Sequence, residues 1–188
     1  MKPLSVLLAA VCILLLTSLG GCALLNLPGD SSDFSQTDPS SEESSQSVTS
    51  LTFRAQYIRT NGYEEGKVYP LVVPIRSREQ LDSYLEKNSG VYSFSDSFDD
   101  MPSFLEAIED YGKGFFSKNA LLLVVLEESS GSIRHEVASV VPQEEGIQIN
   151  IRRSRPDAYT QDMAQWHIVI ELDADYLADG QIYSAIVT

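Results

Sequence analysis

Residues 120–126 read ALLLVVL, an unbroken aliphatic run. A short run of this kind is the pattern of a central β-strand covered on both faces. It constrains the chain more than any other feature, because something apolar must lie against each side of it. The residues after it repeat the strand signal. A Ser-Ser-Gly-Ser turn at 129–132 is followed by a returning strand over 133–141, and Ile147, Ile149 and Ile151 then alternate with Gln148, Asn150 and Arg152, so that one face is buried. Trp166, Ile168, Ile170 and Leu172 share one side of a strand over 165–172, and 181–187 closes the chain.

Upstream, Leu51, Phe53, Ala55 and Tyr57 alternate in a first strand, for which Asn61-Gly62 predicts a terminating turn. Residues 67–75 (KVYPLVVPI) hold two prolines and therefore predict an edge or bulged strand. The period changes at 77–88. Ser77 with Gln80 predicts a capping box, and Leu81, Tyr84 and Leu85 share one helical face. A second helix is predicted over 102–111, with Met101, Phe104, Leu105 and Ile108 inward. Short turn-linked strands favour antiparallel neighbours. The expected class is α+β, a mostly antiparallel sheet of six or seven strands with two helices on one face.

The N-terminal residues belong to a different regime. After Met1 and Lys2, residues 4–16 form an apolar stretch of about 13 residues, shorter than the roughly 20 that a membrane-crossing helix needs. Leu19, Gly20, Gly21 and Cys22 follow it, and this LGGC resembles the bacterial lipobox. The resemblance implies a signal peptide over residues 1–21 and a diacylglyceryl group on the Cys22 thiol. The only other cysteine, Cys12, lies within the segment to be removed, so the mature chain has no disulfide, no cysteine-ligated zinc and no cysteine nucleophile in its folded part. Two acyl chains anchor stably where one holds only marginally.

Residues 30–50 (DSSDFSQTDPSSEESSQSVTS) contain no basic side chain and a single aromatic, too little apolar surface to offset the entropy of ordering them. Residues 22–50 are thus expected to be a flexible tether to a domain of residues 51–188, with the roughly 20 residues of 30–50 alone spanning about 25 Å. Once Lys2 and the five carboxylates of the tether are set aside, the chain's 13 basic and 27 acidic side chains leave 12 and 22 in that domain, a net charge of −10. Such a balance argues against nucleic acid and against docking flat on anionic lipid.

Several motifs in the second half follow one another much as in the PrcB family, named after a protease complex subunit. They are Phe115-Phe116, the aliphatic run 120–126, Ser130-Gly131-Ser132-Ile133, Pro156, Thr160-Gln161-Asp162-Met163 and Trp166-His167. The likeness covers about residues 115–172, with Ile133 where that family often has an aromatic residue. It implies an exported, frequently lipidated protein acting as an accessory to a surface protease, and it carries no catalytic residues over.

The residues themselves assign no catalytic, cofactor or metal site. There is no G-x-S-x-G and no H-E-x-x-H. Gly112-Lys113-Gly114 stands between a helix and a strand, the reverse of a dinucleotide loop. Asp96, Asp99 and Asp100 lack the alternation and glycine of a calcium loop, which leaves a solvated approach to a helix. His135 and His167 could meet on one face to hold zinc if their strands were neighbours, but Glu136 and the other adjacent acids point to the opposite face, so packed or hydrogen-bonded histidines are preferred. Paired acids for glycoside hydrolysis are not singled out among so many carboxylates.

Two features suit a partner. One is the basic cluster Arg152, Arg153 and Arg155, whose alternative is a charged strand end blocking edge pairing. The other is the loop Ser130, Gly131 and Ser132 together with Trp166, whose alternative is a core tryptophan. The preferred expectation is a non-enzymatic, lipid-anchored extracytoplasmic module that binds a protein partner at the bacterial cell surface. The alternative is a cell-wall or peptide hydrolase using acidic residues and a metal. Intact-mass analysis of protein extracted from membranes is expected to find a diacylglyceryl adduct on Cys22, and Cys22→Ser is expected to leave the precursor unacylated and uncleaved.

Overall fold

The structure, a computed structural model, describes residues 49–188 except 63 and 159. The signal segment, Cys22 and nearly all of the expected tether lie outside the described residues. The elements follow in the order β1 (Arg54–Thr60), β2 (Leu71–Ile75), α1 (Arg78–Asn88), α2 (Phe104–Ala107), β3 (Asn119–Glu128), β4 (Arg134–Gln143), β5 (Gly146–Ser154), β6 (Ala164–Asp173) and β7 (Ile182–Val187), with 3-10 turns at Phe115–Ser117 and Ala174–Tyr176. The class is α+β and the pairing is mostly antiparallel. The seven strands divide between two sheets, however, in the orders β1-β6-β3-β2 and β4-β5-β7, where one continuous sheet is the sequence expectation. β7 pairs with β5 in parallel.

The aliphatic run explains the division. In β3, Leu122, Val124 and Leu126 face Val140, Ile149 and Ile151 of the second sheet, while Leu121, Leu123 and Val125 face Leu81, Phe104 and Ile108 of the helical layer. All six β3 side chains are almost wholly buried. Neither the helices nor the second sheet could cover both faces, so three layers form. β6 does the same with Trp166, Ile168 and Ile170 inward between the sheets and Val169 toward the helices. Both helices lie on the same face of the first sheet, as expected.

The two sheets are sewn together at their edges. Ahead of β1, the Leu51 N–H donates to the Val140 carbonyl (2.8 Å) and the Val140 N–H donates to the Ser50 hydroxyl (3.1 Å). The Val137 N–H donates to the Tyr57 hydroxyl (2.8 Å) beside a bulge that shifts register between Val137 and Ser139. At the opposite edge, Arg76 beyond β2 donates to the Tyr183 hydroxyl of β7 (3.1 Å). As its prolines predict, β2 is an edge strand.

Local readings are corrected in three places. The Ser77 hydroxyl does accept from the Gln80 N–H (3.2 Å), but the Gln80 side chain caps the Arg76 N–H (2.7 Å) instead of Ser77, so the box is not reciprocal. A full capping box forms at Ser103 and Glu106. The second helix is only four residues long and leaves Leu105 45 % exposed, because the chain turns after Ile108 to bring Tyr111 against Phe115, with ring centroids 4.5 Å apart. Asn61-Gly62 is not a hairpin turn. Gly62 lies against Tyr92 in an isolated bridge with no room for a Cβ, and the turn falls at Gly66, whose φ of 78° favours glycine.

Gly146 pairs with Ile182 at the start of the β5–β7 register, and a Cβ there would collide with the Ile182 backbone. Since backbone cannot move aside as a flexible side chain can, Gly146→Ala is expected to destabilise the domain by about 1–3 kcal/mol, read as a lowered midpoint in urea denaturation.

Candidate functional site

The two histidines occupy different layers, so they do not meet. β6 alternates faces, and Trp166 enters the space between the sheets while His167 enters the helical layer. His135 packs edge-on against Trp166 with ring centroids 5.5 Å apart, on the far side of the first sheet from His167. Glu136 turns outward to Arg152 (2.6 Å), and Glu171 accepts from the Tyr111 hydroxyl (2.8 Å). Among the described residues no group of three or more His, Cys, Asp or Glu side chains is placed to hold a metal ion.

His167 is enclosed by aromatic rings. Its centroid lies 4.8 Å from that of Tyr92 and 4.9 Å from that of Phe104. Nε2 is 2.8 Å from the Tyr84 hydroxyl and Nδ1 is 2.9 Å from the Thr60 hydroxyl. Each hydroxyl can donate or accept, so the neutral ring is satisfied in either tautomer. Burial pushes its pKa down to about 3. This group acts as a neutral polar bolt between β1, β6 and α1.

His135 sits in a charged nest at the loop end of the sandwich. Its Nε2 lies 2.9 Å from Glu128 Oε1, and Arg153 Nε lies 3.0 Å from the same oxygen without hydrogen-bond alignment. Glu128 and His135 are both buried. Sequence reasoning missed Glu128 as the partner because it ends a strand seven positions upstream. The alternation of β4 and the last residue of β3 meet only through the turn between them.

The basic cluster is consequently split. Arg153 points inward to Glu128, Arg152 lies outward with Glu136, and Arg155 is exposed beyond the end of β5. The loop is corrected too. Ser130 and Gly131 are buried, so neither offers side-chain surface to a partner, and only Ser132 is partly accessible. Trp166 is core, and Arg134 covers its ring at 5.3 Å. Of the acidic approach, Asp99 pairs with Arg134 at 3.5 Å.

What buries the loop is a clamp from three segments. Arg59 Nη2 donates to Asp162 Oδ2 (2.6 Å), and the guanidinium lies 4.7 Å over the Phe98 ring. The Gly131 N–H donates to the Asp162 carbonyl (3.1 Å), and the Gly131 carbonyl accepts from Arg134 Nη1 (2.6 Å). The Ser130 and Thr160 hydroxyls lie 3.1 Å apart. A Cβ at Gly131 would overlap the Arg59 guanidinium, so a larger residue there would have to displace Arg59 from Asp162. The Thr160 hydroxyl and Arg59 hold the Asp162 carboxyl down at about 2. Around this clamp the exposed groups are Arg134, Arg152, Arg155 and Met163, the last 57 % exposed, with Ser132 partly accessible beside them.

No family model matches this chain, and no curated protein or solved structure matches it. No helix among the described residues is long and apolar enough to cross a membrane.

The His167 geometry has a measurable sign. The unfolded ring takes a proton near pH 6.5 and the folded one only near 3, so the unfolded state binds more protons throughout that window. Stability is therefore expected to fall by about 1.4 kcal/mol for each pH unit below 6.5, down to about pH 3, from this group. Urea denaturation at successive pH values checks this, with His167→Gln losing that part of the acid slope.

Proposed function

We propose that this chain is a bacterial lipoprotein, held by acyl chains on Cys22 at the extracytoplasmic face of the cell membrane, whose domain binds a protein partner and performs no catalysis itself. The PrcB-like run of motifs between residues 115 and 172 supports an accessory role beside a surface protease.

The observation that carries this reading is the preorganised loop end. Arg59, Asp162 and Arg134 lock the chain around Gly131, so the groups at its rim are presented on a rigid support. Rigidity matters because a partner then binds without ordering the loop, and that entropy is not lost on association. The rim combines exposed Met163 with Arg134, Arg152 and Arg155, residue types enriched in protein interfaces. Arg155 has no ion pair or side-chain hydrogen bond among the described residues and is free to meet a carboxylate.

The decisive measurement is recovery of the full-length lipoprotein from native membranes in mild detergent. One protein is expected to co-purify at constant stoichiometry, and Met163→Asp combined with Arg155→Glu is expected to weaken its retention at least tenfold without lowering the thermal midpoint. Reproducible absence of any co-purifying protein, or retention unchanged in the double variant, overturns the reading.

A further inference from the structure

Two cavities adjoin at the open end of the first sheet, away from the loop end. One has a volume of about 540 Å³ and the other about 300 Å³, and both are lined by Arg54 and Glu171. Asp110, Tyr111 and Phe115 border the larger, and Asp173 and Tyr176 the smaller. Volumes of this size suit a small molecule.

The charges inside are arranged in an unusual way. Eight arginines stand among the described residues, and six of them, Arg59, Arg76, Arg78, Arg134, Arg152 and Arg153, lie within ion-pair distance of a carboxylate. Arg54 does not, although Glu171 is its direct cross-strand partner in the β1–β6 register. Opposed side chains at such positions are close enough to pair. Glu171 is instead engaged by the Tyr111 hydroxyl, which donates to Oε1 (2.8 Å) and itself accepts from Gln56 Nε2 (2.5 Å). The Gln56–Tyr111–Glu171 chain orients the carboxylate through one oxygen, and the Arg54 guanidinium fork stands open beside it.

We infer that this cleft binds a small zwitterion, an amino acid or short peptide, with its carboxylate on Arg54 and its ammonium among Glu171, Asp110 and Asp173. The two signs decide the class. An arginine fork matches a carboxylate in bidentate geometry. A purely anionic ligand would also meet the four carboxylates of Glu106, Asp110, Glu171 and Asp173, and a purely cationic one would meet Arg54. Only a ligand carrying both charges satisfies the two sets together. The Tyr111 and Phe115 rings, tilted 48° to each other, offer an apolar wall to a short side chain. The inference is independent of the protein partner, since the cleft and the clamp lie at different ends of β1.

The test is titration of the purified full-length protein in detergent with L-alanyl-L-alanine, followed by saturation-transfer NMR and calorimetry. Saturable binding is expected, at least tenfold weaker for N-acetyl-L-alanine, which lacks the ammonium, and for L-alanine amide, which lacks the carboxylate. Arg54→Gln is expected to weaken binding at least tenfold with an unchanged thermal midpoint, because Arg54 is exposed and carries no structural pair. Lys87→Gln, which removes one positive charge elsewhere, is expected to bind as the parent does. Absence of saturable binding at 20 mM dipeptide, equal binding of the blocked compounds, or an Arg54→Gln variant that binds like the parent would each overturn the inference.

Discussion

The structure depends on burying β3 and β6 on both of their faces. Two adjacent strands without a solvent side cannot be served by one covering layer, so the chain must supply helices for one face and a further sheet for the other. The remaining architecture follows from that demand. β4 and β5 present one apolar face inward and one polar face outward, β7 turns Tyr183, Ala185 and Val187 inward while leaving Ile182 and Ile186 exposed, and the segment entering β1 stitches the two sheets together at Val140. β7 reaches β5 only after the chain leaves β6 for the other sheet. A crossing of that kind permits parallel pairing where adjacent hairpins do not.

The two layers treat buried polarity differently. In the helical layer His167 is neutral, hydrogen-bonded at both nitrogens and ringed by aromatics, an arrangement that specifies how α1 sits on β1 and β6 without introducing charge. Between the sheets, Glu128 and Arg153 bring charge in beside His135, but only at the loop end where Arg153 keeps contact with solvent. The difference follows from desolvation. A charge at the depth of His167 would have no counter-ion within reach, whereas one at the rim has both a partner and water.

The domain therefore has an apolar centre and two chemically active ends. At one end a clamp of arginine, aspartate and glycine immobilises a turn beneath a mixed-charge rim. At the other, a phenol orients the Glu171 carboxylate while Arg54, opposite it in the register, makes no ion pair. Both ends rest on the same device, a side-chain partner chosen across a long sequence separation. In an acidic domain most arginines find carboxylates readily, so the two positions left open, Arg54 and Arg155, carry more information than the pairs that form.

Much of this architecture was legible in one dimension because it rests on local periodicity. The aliphatic run required cover on both sides, alternation placed Ile147, Ile149 and Ile151 on one buried face, prolines marked β2 as an edge, and Ser77 marked the start of α1. Periodicity says which face of a strand is buried but not what buries it. The division into two sheets, the parallel placement of β7 and the separation of His135 from His167 were therefore settled only by packing. The same limit applied to the sites. A basic cluster at Arg152, Arg153 and Arg155 is one feature along the chain and three separate environments in space, because adjacent strand residues face opposite ways. The burial of Ser130 and Gly131, and the open fork of Arg54 beside an occupied Glu171, arise from contacts between residues far apart in the chain, and no local pattern encodes them.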